Sequence, residues 1–178
     1  MRVYIPATLT MLQTLVADGS IHARSGTAFA VTPTLRESYF EGDDDELAEV
    51  ALREAALASL RLLAIEGDSG GQERSDRGID GDGLPPRRAV LVAEVDGATV
   101  RPDLDDAVVR LAGPVGIADV IAAYLDNAAA EPAVLAAVEV IDSADLGDED
   151  AELTVGDAQD HDLAWYASQE LPFLLELL

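Results

Sequence analysis

The chain contains no cysteine. That absence excludes disulfides, thiolate nucleophiles, iron–sulfur clusters and cysteine-based zinc sites together. Lysine is missing too, so all 11 basic residues are arginine. Schiff-base chemistry and the phosphate-binding lysine of a Walker A loop are therefore excluded as well. Histidine occurs only as His22 and His161, too few for a centre built on several imidazoles. Aromatic residues make up 4% of the chain, and Trp165 is the single tryptophan. No apolar run approaches the ~18 residues of a membrane-spanning helix. The N-terminal MRVYIPATL lacks the apolar stretch and cleavage site of a signal peptide. A cytoplasmic protein without membrane contact is the expectation.

Positive charge is also scarce, and the formal net charge is −24. Solubility with self-repulsion is the simplest consequence. A surface of this sign repels phosphate backbones and anionic lipids, so neither nucleic acid nor membrane is an expected partner. A basic protein partner is what it would attract, most strongly at low salt.

What is present is ordinary for a globular chain. The hydrophobic fraction is 49% over 178 residues, enough for one core, and residues 1–178 are read as a single domain. Val3-Tyr4-Ile5 reads as a strand stopped by Pro6, and Leu9, Leu12, Leu15 and Val16 follow helical spacing up to Asp18-Gly19. Ala28–Val31 is a second strand, and Pro33 followed by Thr34–Glu37 has the spacing of a capping box. ELAEVALREAALASLRLLAIE is the strongest helix, rich in Ala and Leu behind an acidic start. Residues 67–87, full of Gly, Asp and Arg, read as a mobile loop.

Further strands are expected near 88–95 and 107–111. IADVIAAYLDNAAA reads as a helix, valine-bearing Ala133–Ile141 as a strand, and 142–160 as an acidic connection. HDLAWYASQELPFLLELL then reads as a closing helix, with Trp165 in the core, His161 at its entrance and a kink at Pro172.

The two ends of the chain echo each other. At one constant offset Leu9, Leu12 and Val16 are matched by Ile117, Val120 and Tyr124, and at a slightly larger offset Glu54 has a counterpart in Glu170. Each half then reads strand–helix–strand–helix. The expected fold is α/β or α+β: a single mixed sheet of about five strands with helices packed on it, related to split βαβ arrangements. A doubly wound parallel sheet is the alternative, weakened by Pro6-Ala7-Thr8 where a glycine fingerprint would stand.

The stretches RVYIPATLTML, AFAVTPTLRESYF, ALASLRLLA and HDLAWYASQELP, in that order, resemble an uncharacterised family of actinobacterial proteins. The resemblance covers most of the chain outside 67–87 and implies a cytoplasmic bacterial protein. It supplies no catalytic residue.

Motif searches come back empty. From Asp148 the spacing runs Asp148, Asp150, Glu152, and then Leu153 stands where an EF-hand needs glycine. No G-x-S-x-G elbow occurs. His161 among Asp157, Asp160 and Asp162 is a candidate acid–base or ligand site, although acidic residues there also suit a helix entrance. Arg36 with Glu37 and Tyr39 is a second ligand-binding candidate, and Trp165 beside His161 a third. Arg36 could equally pair with the acidic run at 43–46. No catalytic residue, metal site or cofactor is expected. The preferred function is a non-enzymatic acidic protein that binds a protein partner. The alternative is a small enzyme or ligand-binding domain with its site between the two related halves. A homodimer follows if the last helix leaves an apolar face uncovered.

Overall fold

The first strand runs straight through its proline. In the computed structural model, which describes residues 1–39, 41–74 and 84–178 with the side chains of 68–74 excepted, β1 (Arg2–Ala7) pairs antiparallel with β4 (Ala89–Glu94). The register runs from Arg2–Glu94 through Pro6–Val90 to Ala7–Ala89. On its other side β1 meets β3 (Thr27–Phe29) at Tyr4–Phe29. Proline is tolerated in a strand where its missing N–H breaks no ladder bond, and Pro6 lies beyond that single bridge. The expected stop at Pro6 is thus corrected.

Helix α1 (Leu9–Asp18) begins where Thr8 Oγ1 accepts from the Met11 N–H at 3.3 Å, and ends on Gly19 at φ 82°. A left-handed residue there favours glycine. The short β2 (Ser20–Ile21) follows. Helix α2 (Pro33–Ser38) is capped by Thr32, whose Oγ1 accepts from the Leu35 N–H at 3.1 Å. The cap is therefore Thr32, not Thr34. Helix α3 (Asp44–Arg74) opens on three acidic residues, as the helix dipole favours. It extends into the segment read as a loop. Of that loop, 75–83 lie outside the described residues, and 84–87 lead irregularly towards β4.

The remaining elements are β5 (Thr99–Val100), β6 (Val108–Arg110), β7 (Val115–Gly116), β8 (Val120–Leu125), α4 (Glu131–Asp145), α5 (Glu149–Gln159), β9 (Ala164–Ala167) and α6 (Leu171–Glu176). Seven strands form one sheet in the order β5-β6-β3-β1-β4-β8-β9, and β2 pairs with β7 in a separate ribbon. Every pairing among the described residues is antiparallel. The α/β reading holds, with seven strands instead of about five, and the doubly wound parallel alternative is excluded.

Strand alternation sends successive side chains to opposite faces. Val3, Ile5, Leu91, Ala93, Ala123 and Leu125 pack with Leu9, Leu12 and Leu15 of α1 and Leu171 of α6. Tyr4, Val90, Val92 and Ala122 pack with Leu47, Ala51, Ala55 and Ala56 of α3 and Leu35 of α2. The alanines let α3 lie close to the sheet. Farther along α3, Leu60 is buried with Ala130, Val134, Ala137 and Ile141 on the α4 side and Val155 and Ala158 of α5.

Two segments exchange their expected types. The stretch read as a helix from Ile117 contains β8, framed by 3₁₀ turns at Ile117–Asp119 and Ala128–Ala130. Ala122 and Ala123 are helix formers by propensity, yet each is buried on a different face of the sheet, and packing overrides propensity. Conversely, Ala133–Ile141 is helical, because Val134, Ala137 and Ile141 fall on one buried face of α4. The acidic connection holds the end of α4 and all of α5, capped by Asp148, whose Oδ1 accepts from the Ala151 N–H at 2.9 Å. The closing helix is also corrected: β9 comes first, then a 3₁₀ turn at Ser168–Glu170, then α6 with Pro172 in its first turn. Proline fits there because that N–H has no helical partner to lose. The internal echo is not confirmed, since it equates helical α1 with the strand β8.

Candidate functional site

The sequence LPPRR ends in two arginines of different fate. Arg88 immediately precedes β4 and Asp126 immediately follows β8, and the neighbouring Ala89 and Leu125 are partners in the ladder. Strand pairing therefore brings these two residues together. The Arg88 Nε donates to Asp126 Oδ2 at 2.9 Å and Nη2 to Oδ1 at 2.8 Å, while the Arg88 backbone N–H donates to Oδ2 at 2.8 Å. The side chains are 2% and 0% exposed. A buried charge pair is tolerated when its remaining donors and acceptors are also satisfied. Here Nη1 donates to Gln159 Oε1 at 2.8 Å and Nη2 to the His161 carbonyl at 2.7 Å. Gln159 Nε2 in turn donates to the Arg53 carbonyl at 3.2 Å. One guanidinium thus ties β4, β8, the end of α5 and, through Gln159, α3.

This network borders a cleft of about 410 Å³ lined by α3 (Glu49, Leu52, Arg53, Ala56), by Arg88 and by the segment from Gln159 to Leu163 that includes His161 and Asp162. Its volume is in the range of small-molecule sites, ~300–1,000 Å³. A second concavity, about 320 Å³, lies along α1 and β2 and includes His22.

The residues singled out from sequence are dispersed. His161 lines the larger cleft, and of its acidic neighbours Asp162 does so too. Among the described residues no cluster of three or more His, Asp or Glu is placed to hold a metal ion. Arg36 lies on the surface and its Nε donates to Asp44 Oδ1 at 3.2 Å, within the acidic run. Glu37 and Tyr39 are exposed beside it, and none of the three lines the cleft. Trp165 lies on the edge strand β9 opposite Tyr124, more than half exposed at 58%, so its reading as core is corrected. An edge strand has a neighbour on one side only, which leaves a large side chain there partly uncovered.

Arg53, Arg88, Asp126 and Gln159 escaped sequence reading. A signal existed for Arg88, an arginine abutting an apolar strand in a chain with few cations, but its partner could not be guessed among so many acids.

Glu54, the other acidic residue raised by the echo, is on α3 away from the cleft lining. Burial pushes its carboxyl above the ordinary range, Asp105 adds to the shift, and Arg61 opposes it. A carboxylate raised on folding costs stability above its folded pKa, and the cost disappears as pH falls through that value. Glu54→Gln is therefore expected to be at least as stable as the parent at neutral pH, with its advantage lost at about pH 4, near the reference value for glutamate. Urea unfolding at the two pH values checks this; a variant less stable at neutral pH contradicts it.

The model of one protein family matches residues 1–175, spanning the sheet, the helices and the whole cleft lining. The chain belongs to that family, DUF6912, a family of unknown function. No curated protein and no solved structure matches the chain. Membership in DUF6912 therefore brings no activity with it. Among the described residues no helix is long and apolar enough to cross a membrane.

Proposed function

We propose that this DUF6912 chain is a non-enzymatic binding protein that engages a basic protein partner through the outer face of α4 and α5. The observation that carries this reading is the exposure of large apolar side chains in the middle of an acidic surface. Leu146 is 89% exposed and Leu153 70% exposed. Leu135, Glu139, Asp142 and Leu146 recur at helical spacing along α4 and its C-terminus, all exposed. On α5 Leu153 stands between exposed Glu149 and Asp157 in the same way. Residues 142–162 contain no arginine to neutralise these carboxylates.

Carboxylates around solvent-facing leucines suit a basic amphipathic segment, which would offer cations to the rim and apolar groups to the centre. A second copy of this chain suits the face less well, because it would set carboxylate against carboxylate. The charge contributes association rate and specificity, and the leucines contribute buried area.

The test is affinity capture from the native host with the parent chain and with the double variant Leu146→Asn/Leu153→Asn. The expected result is a basic partner that is held at low salt, weakened above about 0.1 M salt, where charges are screened beyond ~10 Å, and lost from the variant. A partner retained equally by the variant, or no specific partner at either salt, rejects the reading.

A further inference from the structure

The cleft beside Arg88 brings arginines, carboxylates and apolar side chains together in one concavity. Arg2, Arg36, Arg61, Arg87, Arg88 and Arg101 each have a carboxylate within ion-pair distance. Arg53 lines the cleft, is exposed, and has no ion-pair partner among the described residues. Arg88 adds a donor from behind. A guanidinium has five N–H groups. Nε takes Asp126, Nη2 takes Asp126 and the His161 carbonyl, and Nη1 takes Gln159, which leaves one Nη1 N–H without a protein acceptor among the described residues. That residue is 2% exposed and lines the cleft.

The same cleft is lined by two exposed carboxylates, Glu49, one helical turn before Arg53 on α3, and Asp162. The Arg88–Asp126 pair is neutral as a unit, so Arg53 is outnumbered by carboxylates. A simple anion would meet a net negative site on a chain of charge −24, and a simple cation would leave the donors of Arg53 and Arg88 unused. A molecule with one charge of each sign meets neither objection. Leu52, Ala56 and Leu163 supply an apolar part of the lining.

We propose that this cleft binds a small zwitterion of the amino-acid class. Its carboxylate is held by Arg53 and the free N–H of Arg88, and its ammonium by Glu49 and Asp162. An apolar side chain rests on Leu52, Ala56 and Leu163. His161 lies at the same cleft and reports on its occupancy. The site is independent of the partner-binding face of α4 and α5, so each can fail without the other.

The experiment titrates the full chain with L-leucine and L-phenylalanine, then with N-acetyl-L-leucine, which lacks the positive charge, and L-leucinamide, which lacks the negative one. Calorimetry gives affinity, and NMR of the two imidazoles gives location, because His22 lines the other concavity and serves as the internal control. Saturable binding of at least one amino acid is expected in the micromolar to millimolar range, with both blocked forms weaker by about tenfold or more, ~1.4 kcal/mol. His161 resonances move and those of His22 do not. Arg53→Gln is expected to weaken binding by about tenfold or more while leaving the unfolding midpoint unchanged, since Arg53 is exposed and unpaired among the described residues. No saturable binding by either amino acid overturns the proposal. So does equal binding of the blocked forms, a response at His22 instead of His161, or full affinity in Arg53→Gln.

Discussion

Replacing Arg88 with methionine is expected to cost about 3–5 kcal/mol of folding stability, because it strands a buried carboxylate. Asp126 is 0% exposed and would keep only the backbone N–H of Arg88 as a partner on this side. Gln159 Oε1 and the His161 carbonyl would each lose a donor as well. Domains of this kind are stable by only ~5–15 kcal/mol, so the loss is a large share of the total. The midpoint of urea unfolding measures it directly, provided the slope is unchanged. The double variant Arg88→Met/Asp126→Asn separates the causes. Asparagine removes the stranded charge and keeps an acceptor for the Arg88 N–H, so much of the loss should return. A single variant costing under about 1 kcal/mol, the level of an exposed pair, would contradict the structural role given to this network. Equal loss in the double variant would show that packing, and not charge, is responsible.

The second large effect is expected at Ser59, a small polar residue at the centre of the fold. Its hydroxyl donates to the Ala7 carbonyl at 2.7 Å and accepts from the Ala89 N–H at 3.1 Å. Ala7 and Ala89 are the final registered pair between β1 and β4, so the hydroxyl ties α3 to the end of the ladder. Ser59→Ala strands a carbonyl and an N–H, both buried, at about 1–3 kcal/mol each. A combined loss of about 2–6 kcal/mol follows, together with faster hydrogen exchange at the Ala89 amide. Ser38→Ala is the control. Ser38 donates to Asp106 Oδ2 at an exposed position, and its removal should stay within about 0.5 kcal/mol. If the two alanine variants lose the same stability, the hydroxyl at position 59 is not a clasp.

Where local chemistry and tertiary burial agree, the fold was legible in the residues. The leucine spacing from Leu9 to Leu15, closed by Gly19, marks α1, and the valine-rich stretch after Arg88 marks β4. Where they disagree, the residues misled. The alanines of β8 favour a helix in isolation, but Ala122 and Ala123 are buried on opposite faces of the sheet, and that burial decides for the strand. The valines of α4 favour a strand, yet their burial follows the helical period. In the cleft, His161 stood out because histidine is rare. Arg53 and Gln159 gave no such signal, since their positions depend on how α3 and α5 meet.

Composition alone settled which chemistries are absent and that the surface is acidic. A missing thiol or amine cannot be supplied by folding, and a net charge does not depend on conformation. The helical character of α3 was equally fixed by its own residues, because acidic start, Ala and Leu all act within a turn or two. Strand order, the faces of the sheet and the cleft were decided only by tertiary structure. Arg88 and Asp126 are 38 positions apart, and Arg88 and His161 are 73 apart. No local preference selects one carboxylate among 35 acidic residues. The choice falls to antiparallel pairing of β4 with β8, which buries both side chains and leaves each the other's nearest opposite charge.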